Sequence, residues 1–158
     1  DGTNAGLVLT DHSGRPALAL FRPRKDKFEA GVWKEQIGAD ADSSPTLAIA
    51  DVGRCDRAGC VAALRDRQIA VTGDPLGLAD DCARADLVVA LFPVSRPQKE
   101  ACATSLVDRR DAWNGGALAI WLGPDRPRVV AVNDLRGKRP WTAERRTNRL
   151  PQTARAPL

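Results

Sequence analysis

"VTGDPLGLADDCARADLVVALF", residues 71–92, decides how this chain folds. Its first residues close a short apolar strand, Ile69–Val71. Asp74-Pro75 then opens a helix: proline suits the first turn, where an amide lacks a partner anyway, and the acid complements the helix dipole. That helix is predicted to run to about Ala85. Leu87–Phe92 follows as six consecutive apolar residues, the pattern of a strand buried on both faces. Pro93 interrupts it, and a loop is predicted through Lys99.

Shorter elements lie on either side. Leu7–Leu9 and Ala17–Phe21 flank Asp11-His12-Ser13-Gly14, which reads as a hairpin turn. Phe28, Val32, Trp33 and Ile37 recur at helical spacing and predict one apolar helix face over residues 28–37. Asp40–Pro45 is loop. Strands are expected around Ala48–Val52, Val61–Leu64 and Cys102–Val107. A helical turn over Arg109–Trp113 ends at Asn114-Gly115-Gly116, and Ala117–Leu122 with Val129–Val132 reads as a final hairpin. The order predicts an α+β fold, a mixed β-sheet domain with two or three short helices, rather than a regular βαβ series. Residues 1–141 are expected to form a single soluble domain and residues 142–158 a basic disordered tail.

With 158 residues the chain can bury a core without staples. No apolar run approaches the roughly 18 residues of a membrane span. The chain begins at Asp1 and contains no Met, which reads as a piece of a larger polypeptide. Its 19 Arg against 5 Lys, with abundant Ala, Gly and Pro, match G/C-rich codon usage. The distribution of charge is more telling. Residues 1–125 carry a net −3, whereas residues 126–158 hold nine basic and two acidic residues, a net +7.

Cys55 and Cys60 bracket Asp56-Arg57-Ala58-Gly59, with Gly59 where a left-handed residue is often needed. If the flanking segments pair as a hairpin, the cysteines face each other about 4.5 Å apart at Cα, within disulfide range. Closing so short a loop contributes about 2 kcal/mol, and a bridge from Cys82 to Cys102 about 3 kcal/mol. Four cysteines permit three pairings, and 55–60 with 82–102 follows from proximity. Buried thiols and a zinc knuckle are the competing readings. Disulfides would point to an oxidising compartment.

Chemistry is sparse. His12 is the single histidine and sits in a turn, so metal-hydrolase constellations that need several imidazoles are excluded. There is no glycine-rich phosphate loop. Asp80 and Asp81 read as a solvated helix face. Asp108 and Asp111 read as partners of Arg109 and Arg110 in local salt bridges. Asp74 reads as a helix cap. Nucleic-acid contact is the remaining possibility: Arg136, Lys138, Arg139 and Trp141, followed by Arg145, Arg146 and Arg149, combine cations with a ring able to stack a base. Against this stands a codon-biased tail whose Trp packs on the domain. Trp33, Trp113 and Trp121 fall in apolar patterns and are expected in the core.

The ordered set "FEAGVWKEQIGADAD", "CDRAGC", "ADDCARADLVVA", "SLVDRRDAWNGGALAIWL" and "RGKRPW" resembles the C-terminal soluble region of ComEC-type competence proteins, in the form typical of alphaproteobacteria. The likeness spans about residues 5–142. It implies a domain on the periplasmic side of a bacterial inner-membrane channel that imports single-stranded DNA. Its partners would be that DNA, the membrane channel portion of the same polypeptide and other competence-machinery proteins. Many such proteins carry a metallo-β-lactamase-like nuclease there, so the fold could be a degenerate metallo-β-lactamase-like half.

The histidine cluster of that nuclease is missing from this sequence, so no catalytic or metal-binding residue carries over and no cofactor is implied. No small-molecule substrate is evident. The expected function is therefore non-catalytic: contacting or guiding DNA, or stabilising the channel. The alternatives are a nuclease using Asp74, Asp108 and Asp111 with magnesium, and a protein-docking module that never touches DNA.

Overall fold

The computed structural model describes residues 4–10, 16–22, 27–39, 46–64, 66–122 and 126–136. At its centre lie three parallel strands, β6 (Arg67–Thr72), β7 (Leu87–Ala90) and β8 (Ser105–Asp108). Ile69 pairs with Leu87 and Thr72 with Ala90; Leu87 in turn pairs with Ser105 and Ala90 with Asp108. Strands β4 (Gly53–Cys55) and β5 (Gly59–Leu64) extend this sheet antiparallel, giving the order β4-β5-β6-β7-β8.

Both faces of β6 are covered over Ile69–Val71, which is why that stretch is apolar without alternation. Ile69 and Val71 point into a central core with Leu7, Ala19, Ile49, Ala62, Leu87 and Leu91. Ala70 points the other way, onto Leu78, Cys82, Ala85, Val88 and Val94. That second face carries the crossovers: a 3₁₀ turn (Pro75–Gly77) leading into helix α2 (Leu78–Arg84), and helix α3 (Arg96–Ala101). Each large aliphatic side chain removed from water here contributes about 1.5–3 kcal/mol before entropy is counted.

A second sheet packs on the central core. Strands β1 (Gly6–Thr10) and β2 (Pro16–Leu20) form an antiparallel hairpin, and β3 (Thr46–Ala48) joins β2 in parallel. Alternation along β2 sends Ala19 inward, while Leu18 and Leu20 meet helix α1 (Lys27–Gln36) through Ala30, Trp33 and Ile37. Helices therefore cover the outer faces of two stacked sheets. A separate ribbon, β9 (Leu118–Leu122) and β10 (Pro127–Ala131), adds Ile120 and Leu122 to the core rim. It is flanked by α4 (Arg109–Gly115) and α5 (Val132–Arg136). The mixed α+β architecture is as expected, with five helices among the described residues rather than two or three.

Several local expectations are corrected. Residues 96–101 are helical, not loop: Ser95 caps α3, and Gln98 bonds back to the Ser95 amide (3.1 Å) and hydroxyl (2.7 Å). Ser-x-x-Gln is a capping-box signature, so this helix was legible. Cys102 ends α3 instead of opening a strand. Ile49–Asp51 forms a 3₁₀ turn, with Asp51 accepting from the Ala48 amide, where a continuous strand was expected. On α1 only Trp33 and Ile37 of the four-residue face are sheltered, because the helix sits on the narrow stripe of Leu18 and Leu20; Phe28 is 83% exposed. The turn containing His12 and the segment 142–158 lie outside the described residues.

Candidate functional site

Parallel sheets place loops, and any site built from them, at the carboxyl ends of their strands. Here that edge gathers Thr72, Asp74, Asp108 and, from the helices, Asp81, Lys99 and Asp111. Asp74 follows β6 and accepts the Leu76 amide at 3.0 Å, the cap expected from the sequence. Asp81 accepts from the fully buried Thr72 hydroxyl at 2.5 Å and ties α2 to the sheet; Asp80 pairs with Arg84 on the solvent side.

Asp108 and Asp111 are the most enclosed carboxylates of this edge. The Asp108 side chain is 0% exposed. One of its oxygens accepts the Val94 amide (2.7 Å); the other accepts the Asp111 amide (3.0 Å) and Lys99 Nζ (3.0 Å). Asp111 returns the capping interaction by accepting the Asp108 amide (2.9 Å) and also binds Lys99 Nζ (2.7 Å). The shared cation is thus Lys99 of α3, not the adjacent Arg109 and Arg110 that the sequence suggested. Burial pushes the Asp108 carboxyl up, but the Val94 amide, Lys99 and the Asp111 amide outweigh it and hold the group below the ordinary range. At Asp111 burial prevails over Lys99 and the Asp108 amide, and the carboxyl is raised.

Both expected disulfides are present, Cys55–Cys60 and Cys82–Cys102. Cys55 and Cys60 are register partners of β4 and β5, with Cα atoms 4.0 Å apart. The Asp56 side chain accepts the Ala58 and Gly59 amides and shapes the turn. Gly59 has no positive φ. Its role is close approach, since a Cβ there would overlap the Val71 carbonyl oxygen of β6. The Ala58 carbonyl accepts both the Gly73 (2.6 Å) and Asp74 (2.9 Å) amides, so the stapled turn docks beside the β6 edge. The second bridge joins α2 to the end of α3 below a cleft of about 210 Å³ lined by Pro75, Leu78, Ala79 and Ala101, with Gln98 as its polar side chain. Two disulfides accord with an oxidising, extracytoplasmic environment. No helix among the described residues is long and apolar enough to cross a membrane.

The basic end is only partly described. Arg136 closes α5 and is exposed; Lys138, Arg139, Trp141, Arg145 and Arg146 lie outside the described residues. Trp113 and Trp121, expected in the core, are each 56% exposed. For Trp121 the reason is strand parity: Ile120 and Leu122 take the inward positions of β9, so the residue between them points out. Across the ribbon Trp121 is the register partner of Arg128, whose guanidinium lies 5.9 Å from the ring centroid.

The chain matches no family model, and no curated protein or solved structure is significantly similar to it. Among the described residues no group of three His, Cys, Asp or Glu side chains is arranged to hold a metal ion.

Proposed function

We propose that this chain is a non-catalytic, periplasm-facing domain of a ComEC-type DNA-uptake protein, which contacts or guides DNA beside the channel or stabilises it. The observation that carries the non-catalytic part is where the carboxylates go. Asp74 caps a helical turn, and Asp108 and Asp111 hold each other's amides and share Lys99. A magnesium-dependent nuclease needs carboxylate oxygens turned towards a shared open space; Asp108 and Asp111 are instead enclosed around Lys99, and Asp74 Oδ1 is committed to the Leu76 amide. The two disulfides support a location outside the cytoplasm. The ordered motifs that resemble ComEC-type proteins support the assignment to that protein class, and the net +7 of residues 126–158 supports contact with a polyanion.

The test pairs two measurements on the oxidised 158-residue chain. Plasmid and single-stranded DNA incubated with magnesium, manganese or zinc should remain intact. Labelled single-stranded DNA should be bound at low salt and released as salt rises. Cleavage that disappears in Asp74→Asn or Asp108→Asn would overturn the non-catalytic reading. Absence of any binding at low salt would remove DNA contact and leave channel stabilisation.

A further inference from the structure

We infer that the outward face of the β9–β10 ribbon is a single-stranded DNA contact, in which a base stacks on Trp121 and Arg128 takes the adjoining phosphate. The inference rests on the DNA-contacting reading above and gives it a place.

Register determines what this face presents. Ile120 pairs with Val129, so the outward set is Ala119 and Trp121 on one strand with Val130 and Arg128 on the other. Ala119, Trp121 and Arg128 are exposed and Val130 is half-buried. The core has no need of the indole, because Ile120 and Leu122 already fill the inward positions. An aromatic ring buries about 150–250 Å² when covered, so leaving it open forgoes much of what that residue can contribute.

A nucleotide offers a flat π-face and an anionic phosphate close together, and the face offers a ring and a cation side by side. The guanidinium carbon stands 5.9 Å from the ring centroid, beyond the roughly 3.5–4 Å of stacking contact. With the guanidinium outside contact distance, a base can settle on the indole at about 3.5–4 Å while the flexible Arg128 side chain swings to the adjoining phosphate. Charge agrees: residues 126–158, which begin at this ribbon, carry nine basic and two acidic residues.

Strandedness follows from the ring. In a duplex the bases are stacked on one another and cannot cover an indole, whereas an unpaired strand can. A lipid surface fits less well, since membrane insertion calls for a broad apolar face, and here one ring is flanked by Ala119 and a half-buried Val130.

Fluorescence anisotropy of labelled oligo(dT), titrated with the whole oxidised chain at about 50 and 200 mM salt, tests this. Trp121→Ala should weaken binding about 10-fold, and Trp121→Phe, which keeps a ring, should stay within about 3-fold of wild type. Arg128→Ala should lower the slope of log affinity against log salt by about 0.7, one phosphate contact on a single strand. Duplex DNA should bind more weakly and ignore the Trp121 change. If wild type binds oligo(dT) and neither variant differs from it, the ribbon assignment is wrong while DNA contact stands. No binding by wild type overturns both. Trp121-dependent binding to phosphatidylglycerol vesicles without DNA binding overturns the assignment and gives the face to the membrane. Trp121 is largely exposed, so its variants should fold; unchanged circular dichroism checks this, and Arg128→Glu provides an independent variant.

Discussion

Replacing Lys99 by methionine keeps most of the unbranched side chain and removes the cation that Asp108 and Asp111 share. Breaking a buried ion pair by deleting one partner costs about 3–5 kcal/mol. Two features lower that here. The Lys99 side chain is 31% exposed, so water already screens the pair, and Asp108 keeps the Val94 and Asp111 amides as donors. The expected loss at neutral pH is therefore about 2–3 kcal/mol, a large share of the roughly 5–15 kcal/mol that holds a domain folded.

The pH dependence makes the prediction specific. In the wild type Asp108 is held below the ordinary value of 3.8, so its stabilisation is present above 3.8 and is lost as pH falls through its lower folded value. Asp111 is raised and acts with the opposite sign: its contribution is complete below 3.8 and fades as pH rises through its folded value. The two partly cancel in mild acid. Without Lys99 the carboxylates repel, the pair retains a proton to higher pH, and folding takes that proton up. Lys99→Met should then gain stability as pH falls from 7 towards 5, with a limiting slope of about 1.36 kcal/mol per pH unit for one proton. Urea unfolding of both proteins at several pH values measures this. A loss below about 0.5 kcal/mol at pH 7, or parallel pH profiles, would refute the shared-cation argument.

Removing Cys82–Cys102 with paired alanines should cost about 3 kcal/mol and removing Cys55–Cys60 about 2 kcal/mol, from loops of 20 and 5 residues, with urea midpoints showing the order. Gly59→Ala should destabilise by about 1–3 kcal/mol, read as a lowered Tm, because the new methyl group meets the β6 backbone rather than a side chain that can yield. Asp74→Ala should lose about 1 kcal/mol of cap and leave DNA affinity unchanged in the anisotropy titration.

Much of the fold was legible because the signals are local. The apolar run at Leu87, the Asp-Pro start of the crossover and the Cys-x4-Cys turn each report a neighbourhood within one or two elements. Both cysteine pairings followed from that proximity, and so did the cap at Asp74. The helix at Arg96–Ala101 was missed although Ser95 and Gln98 announce it; Pro93 was read as opening a loop through Lys99, yet Pro97 within that span sits in the first helical turn, where its missing amide is harmless.

The sequence by itself determined the α+β character and the gathering of positive charge after Arg126, since composition and periodicity settle these, and short-range spacing favoured the two staples among three possible pairings. Only the tertiary structure decided that Lys99, nine and twelve residues away, is the cation for Asp108 and Asp111, and that Trp121 faces solvent beside Arg128. Such choices depend on which elements meet and on which side of a strand is inside. Chain spacing cannot specify them, because they arise from contacts between segments that the sequence presents far apart.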